Sequence, residues 1–207
     1  MPKKASKPKA RRKTNKGSPF EREIARKLSL WWSDGQADDW FWRTAGSGGR
    51  ATNRAKSGKS TANGGGDICA QTKEAQNLLD KVTFELKRGY NTATISDLFD
   101  SESGGVMHKF IEQASRSASL AGTPHWAVIH KRDRRDALLI TSWADLLIFG
   151  PPHIECWPNT AERPVWVAKL DDCLSPRTRI WLQDILHSAL HPFCEQKTEA
   201  QNGDSGS

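Results

Sequence analysis

Long apolar runs are missing from this sequence. The most apolar stretch, ALLITSWADLLIFG at 137–150, is too short to cross a bilayer and carries Asp145 in its second half. No apolar segment of signal-peptide type stands near residue 1, so neither a membrane protein nor a secreted one is expected. Cysteine is scarce: Cys69, Cys156, Cys173 and Cys194 form no CxxC pair and read as isolated thiols of a reducing cytoplasm. His187, His191 and Cys194 have a metal-like spacing on one helix face. They lack a CxxC partner, and Pro192 ends the helix, which argues against zinc.

Acid is absent from two stretches. Residues 1–16 hold eight Lys and Arg and no Asp or Glu; without them the remaining 23 bases face 24 acids, so the net charge of +7 belongs to an arm. A mobile basic arm suits a polyanionic partner such as DNA, although solubility or localisation would also account for it. The span from Arg43 to Gly66 likewise contains Arg43, Arg50, Arg54, Lys56 and Lys59 without an acid. It reads as a loop that closes on a phosphate backbone, the alternative being a plain surface loop.

Between a disordered arm at 1–17 and a disordered tail at 196–207, 36% hydrophobic content with nine tryptophans is enough to bury one core. Ser18, Pro19 and Glu21 spell a capping box ahead of a helix over 19–32, whose packing arc is Phe20, Ile24, Leu28 and Trp31. DWFWRTA is strand-like. DICAQ and VTFELKR follow as strands, read as a hairpin through the polar connection 72–80. A short helix is expected at 94–99 and a longer one over 106–121, packing through Val106, Phe110, Ala114, Ser117 and Ala121. HWAVIHK and DALLITS flank the turn RDRR as strands. A short helix, a strand pair around Ile154 and Val165 and a final helix over 176–190 complete the chain. The order implies an α/β fold with a central mixed sheet flanked by helices, comprising a core at 18–142 and an extension at 143–195 packed on it. Trp31, Trp126, Trp166 and Trp181 sit on core patterns; Trp40 and Trp42 share a strand face suited to packing between sheet and helix.

Four residues carry the chemistry. Glu21 borders the buried arc of the first helix, where it serves the capping box, an active site, or both. Asp67 ends the run NGGGD just before a strand, a place where a turn aspartate is also ordinary. Glu85 and Lys87 project from the same strand face, as a surface salt pair would. Taken jointly, carboxylates at adjacent strand ends repel unless a divalent cation neutralises them, and hard oxygen ligands suit Mg²⁺ or Mn²⁺.

The segments KGSPFERE, RTAGSG, GDICA and FELK occur in the order found in archaeal-type Holliday junction resolvases of the PD-(D/E)xK nuclease superfamily, which this sequence resembles over about residues 16–90 and more loosely to 131. The resemblance implies a restriction-endonuclease-like fold and an Mg²⁺-dependent DNA endonuclease, Mn²⁺ being able to substitute. It implies that Asp67, Glu85 and the Leu86 backbone carbonyl hold the metal, with Glu21 joining directly or through water and Lys87 beside the attacking water. Arg22 and Ser47 match positions that contact DNA; Lys109, Gln113 and Arg116 lie on a helix flank suited to backbone phosphates. A homodimer is the family expectation. Gly66 replaces the proline of the motif name, a stretch bearing Arg50, Arg54, Lys56 and Lys59 is inserted before Asp67, and the part beyond Trp143 has no counterpart. Another nuclease of the superfamily (restriction-like, repair or flap) and a non-catalytic DNA-binding protein on the same fold are the rival readings.

Overall fold

The computed structural model describes residues 17–44, 65–99, 105–147, 153–156 and 164–190. The basic arm, Ser47, Arg50, Arg54, Lys56, Lys59, His191, Cys194 and the C-terminal tail lie outside the described residues.

Helix α1 (Gly17–Trp32) buries Phe20, Ile24, Leu28 and Trp31, the arc set by its 3.6-residue period, and adds Ala25, Ser29 and Trp32. Ser29 is a polar group in that arc with both its needs met. Its Oγ donates to the Ala25 carbonyl and accepts the Phe41 N–H, which pins strand β1 (Phe41–Arg43) to the helix. Strand β2 (Ile68–Ala70) pairs antiparallel with β1, Trp42 opposite Cys69.

The expected hairpin over 72–80 does not form. Thr72 caps a helix there, accepting the Ala75 N–H on its side chain, and α2 (Lys73–Leu79) buries Ala75 and Leu78. Helix α2 therefore separates β2 from β3 (Val82–Arg88), and β2 finds its partner in β1 instead. Strand β3 is buried on both faces: Val82, Phe84 and Leu86 join the core beneath α1, while Thr83, Glu85 and Lys87 face the other way.

Helix α3 (Val106–Ala121) is the crossover that makes β3 and β4 (His125–Lys131) parallel, with Glu85 opposite Val128 and Lys87 opposite His130. The short helix expected near 94–99 is a 3-10 turn, Ile95–Leu98. Ala121, expected on the packing face of α3, is exposed. Strand β5 (Leu138–Thr141) returns antiparallel to β4, and the 3-10 turn Ala144–Leu147 follows.

Residues beyond 143 continue the same sheet. Strands β6 (Ile154–Cys156) and β7 (Val165–Lys169) complete a five-stranded mixed sheet of order β3-β4-β5-β7-β6. The short helix α4 (Leu170–Cys173) leads into α5 (Pro176–Leu190). Helix α5 lies against α1: the Trp31 indole donates to the Ser175 carbonyl, the Gln183 amide to the Trp32 carbonyl, and Arg179 pairs with Asp34 at 2.7 Å. One core sits between the sheet and α1; the other packs Met107, Phe110, Ala114 and Ala118 of α3 on Trp126, Val128 and Ile140. This is the restriction-endonuclease-like α/β arrangement, with β3 at the sheet edge beside the β1-β2 ribbon.

Trp31 and Trp126 are buried as expected. Trp181 and Trp42 are not: Trp42 lies about half exposed (49%) because it faces away from α1, toward which its neighbour Phe41 points. No helix among the described residues is long and apolar enough to cross a membrane.

Candidate active site

Asp67 is held to the edge of β3 by one main-chain and one side-chain bond, and to the end of β1 by a second main-chain bond. Its N–H donates to the Phe84 carbonyl, its own carbonyl accepts from Thr44, and its Oδ2 accepts the Leu86 N–H at 2.8 Å. The path depends on Gly66, whose φ is +80°, a conformation closed to proline and strained for any residue with a side chain. A Cβ there would overlap the Phe84 carbonyl oxygen. The glycine in place of the motif proline thus has a local cause.

Leu86 points its N–H toward Asp67, away from β4. Because the N–H and C=O of one residue in a parallel strand lie on the same edge, the Leu86 carbonyl also faces the Asp67 side. Glu85 and Lys87 project from β3 toward α3. Lys87 Nζ donates to Glu85 Oε2 at 2.9 Å and to Gln113 Oε1 at 3.0 Å, while Gln113 Nε2 donates to the same Glu85 Oε2 at 2.9 Å. Ser117 Oγ donates to Glu85 Oε1 at 2.7 Å. The Lys87 ammonium also lies 5.7 Å from the centroid of the Phe110 ring, whose face favours a cation.

Burial is the first reason that the Asp67 carboxyl is pushed up to about 6, and the charge of Glu85 is the second; the Leu86 N–H and Lys87 oppose them. Asp67, Glu85 and Lys87 are all buried, at 8%, 3% and 8% exposure. The group has the chemistry of an oxygen-donor cation site: two mutually repelling buried carboxylates with a backbone carbonyl on the same edge.

Glu21 is drawn elsewhere. The expected capping box is absent, because the helix already includes Ser18 and the Ser18 hydroxyl accepts from Arg22 at 3.0 Å and Arg43 at 2.7 Å. Glu21 instead forms an ion pair with Arg43 Nε at 3.1 Å, and of the charges acting on Asp67 its effect is the weakest. Among the described residues no three His, Cys, Asp or Glu side chains converge as metal ligands. The structure brings Asp67, Glu85, Leu86 and Lys87 together, while Glu21 is engaged with Arg43.

Arg22, Lys109 and Arg116 are exposed. Gln113 is exposed on the same flank as Lys109 and Arg116, as expected, and its amide bonds both Glu85 and Lys87. Ser117 was legible only as a packing position. A hydroxyl within the Phe110 and Ala114 stripe needs a partner, and that need was the available signal. Arg43 is committed to Glu21 and Ser18 in this state.

The model of the family described as "Phage putative PDDEXK endonuclease" matches residues 12–148 of the chain. No curated protein and no solved structure matches it.

Proposed function

The chain belongs to this family of phage PDDEXK endonucleases, and from that premise we propose that it is a divalent-metal-dependent DNA endonuclease acting on branched DNA of the Holliday-junction type. The observation that carries the metal-dependent part is the buried Asp67 and Glu85 pair, joined through β3 and neighboured by the Lys87 ammonium. The branched-DNA part rests on the order of KGSPFERE, RTAGSG, GDICA and FELK.

Asp67, Glu85 and the Leu86 carbonyl would hold Mg²⁺ or Mn²⁺, with Glu21 adding its charge through water. When bound, the cation lowers the pKa of water and offsets charge on the phosphate in the transition state. Lys87 orients the attacking water and adds positive charge beside the scissile phosphate. The burial of Glu85 and Lys87 keeps bulk water from screening that charge. Cleavage leaves a 5′-phosphate and a 3′-hydroxyl. The basic residues Arg22, Lys109 and Arg116, with Arg43, Arg50, Arg54, Lys56 and Lys59 and the hydroxyl of Ser47, contact the backbone, and a homodimer supplies the two sites that symmetric cutting needs.

Labelled four-way junction, flap, linear duplex and single-stranded DNA, each incubated with Mg²⁺ or with EDTA, test the reading. Metal-dependent cutting of the junction is expected, and Glu85→Gln and Lys87→Ala should lower it at least about 100-fold while DNA binding in EDTA persists. Cutting of duplex alone removes the branched-DNA part. Binding without any cutting favours the non-catalytic rival.

A further inference from the structure

Gln113 and Ser117 belong to no motif of the site, yet together they make three of the four hydrogen bonds that tie Glu85, Lys87 and α3 into one network. The Gln113 amide has a single sensible orientation. An ammonium only donates and an ionised carboxylate only accepts, so its oxygen must face Lys87 and its nitrogen Glu85.

The donors fall unevenly on Glu85. Two of them, Lys87 Nζ and Gln113 Nε2, share Oε2, and Ser117 alone occupies Oε1. A carboxylate offers about four acceptor sites, two on each oxygen, so Oε2 is filled and one site of Oε1 stays open. Gln113 also gives Lys87 a second acceptor beside Glu85 Oε2.

We infer that Gln113 and Ser117 are positioning residues: they turn Glu85 so that Oε2 is spent on the protein and Oε1 is presented to the cation, and they hold Lys87 off that oxygen. Helix α3 is thereby part of the site, although it contributes no ligand. The inference rests on the metal-dependent reading above. Partners that orient a metal-binding carboxylate typically influence affinity or rate by about 10-fold to 100-fold.

The test uses the full chain. Mn²⁺ affinity is measured by calorimetry without DNA, and kcat and KM are measured on a DNA that the wild type cuts. Gln113→Ala and Ser117→Ala are each expected to weaken Mn²⁺ binding about 10-fold and lower kcat with KM unchanged. Ser117→Thr keeps the hydroxyl and should stay within about twofold of wild type. Melting in EDTA guards against misfolding: a Gln113→Ala protein that melts with the wild type and still binds Mn²⁺ as tightly overturns the inference. A raised KM with unchanged Mn²⁺ affinity also overturns it, because Gln113 would then be a DNA contact. Wild type that binds no Mn²⁺ sinks the metal-dependent reading and this inference with it, whereas Mn²⁺ binding without DNA cleavage removes only the nuclease step.

Discussion

Asp67→Asn should make the metal-free protein more stable at neutral pH. The Asp67 carboxyl is pushed from 3.8 to about 6, by burial first and by Glu85 second. At about 1.4 kcal/mol for each pH unit, holding that group ionised at pH 7.5 costs the folded state about 3 kcal/mol. Asparagine stands in for the neutral carboxyl and still offers a carbonyl to the Leu86 N–H, whose preference for the charged form is already contained in the shift to about 6. The gain is therefore about 3 kcal/mol, or about 6–12 °C in Tm for a chain of this size. The pH dependence fixes the cause. Between 3.8 and about 6 the folded wild type keeps a proton that the unfolded chain has released, so its stability falls as pH rises through that window and levels off above it. Urea unfolding in EDTA at pH 4 and pH 7.5 is the assay: the advantage of Asp67→Asn should be near zero at the lower pH and full at the higher. An advantage of the same size at both, or none at pH 7.5, refutes the electrostatic origin.

Three shorter expectations follow. Arg43→Ala leaves Glu21, whose side chain is 16% exposed, without its cation and removes a donor from Ser18; a loss of about 1–2 kcal/mol in urea unfolding is expected. Arg43→Lys should recover little of it, because one ammonium cannot reproduce the separate Nε and Nη1 contacts. Gly66→Ala combines a left-handed backbone with an overlap on the Phe84 carbonyl and should cost about 3 kcal/mol or more, read as a lower Tm. Deleting residues 1–16 removes eight cations and should weaken DNA binding; if half of them neutralise phosphates, the slope of log K against log salt shrinks by roughly 3–4, and an unchanged slope returns the arm to a solubility role.

Regular elements were legible wherever a period ran long enough. Helices α1 and α3, each 16 residues long, repeat apolar side chains over several turns, and the alternation in VTFELKR separated the Phe84 face from the Glu85 face before any coordinates. The seven residues of α2 span only two turns. With Ala75 and Leu78 as its sole buried positions, its pattern was too short to outweigh the polar look of TKEAQ, and the hairpin reading followed. Trp42 shows the other limit: strand alternation says that it opposes Phe41, but whether the outward face is covered depends on what packs there, which is a tertiary fact. Glu21 was placed correctly at the margin of the buried arc. Its partner, Arg43, lies 22 residues away on another element, beyond the reach of any local rule.

The glycines before Asp67 connect these levels. Read as sequence, NGGGD is a flexible turn, and the missing proline is a departure from the motif. In the fold, Gly65 lies where a Cβ would overlap Ala121 of α3, and Gly66 where one would overlap Phe84 of β3. The chain enters Asp67 through a gap between α3 and β3 that admits only backbone. That close approach sets the Asp67 N–H on the Phe84 carbonyl and its carboxylate on the Leu86 N–H, one residue from Glu85. The left-handed glycine and the placement of Asp67 therefore share one cause, the seating of the segment at 65–67 against β3 beside the C-terminal half of α3. A side chain at 66 should accordingly disturb both stability and divalent-cation binding, whereas Arg43→Ala, acting at Glu21, should lower stability with a smaller effect on Mn²⁺ affinity. Calorimetric Mn²⁺ titration of Gly66→Ala and Arg43→Ala distinguishes the two, and equal losses of affinity would show that the Asp67 passage has no special hold on the site.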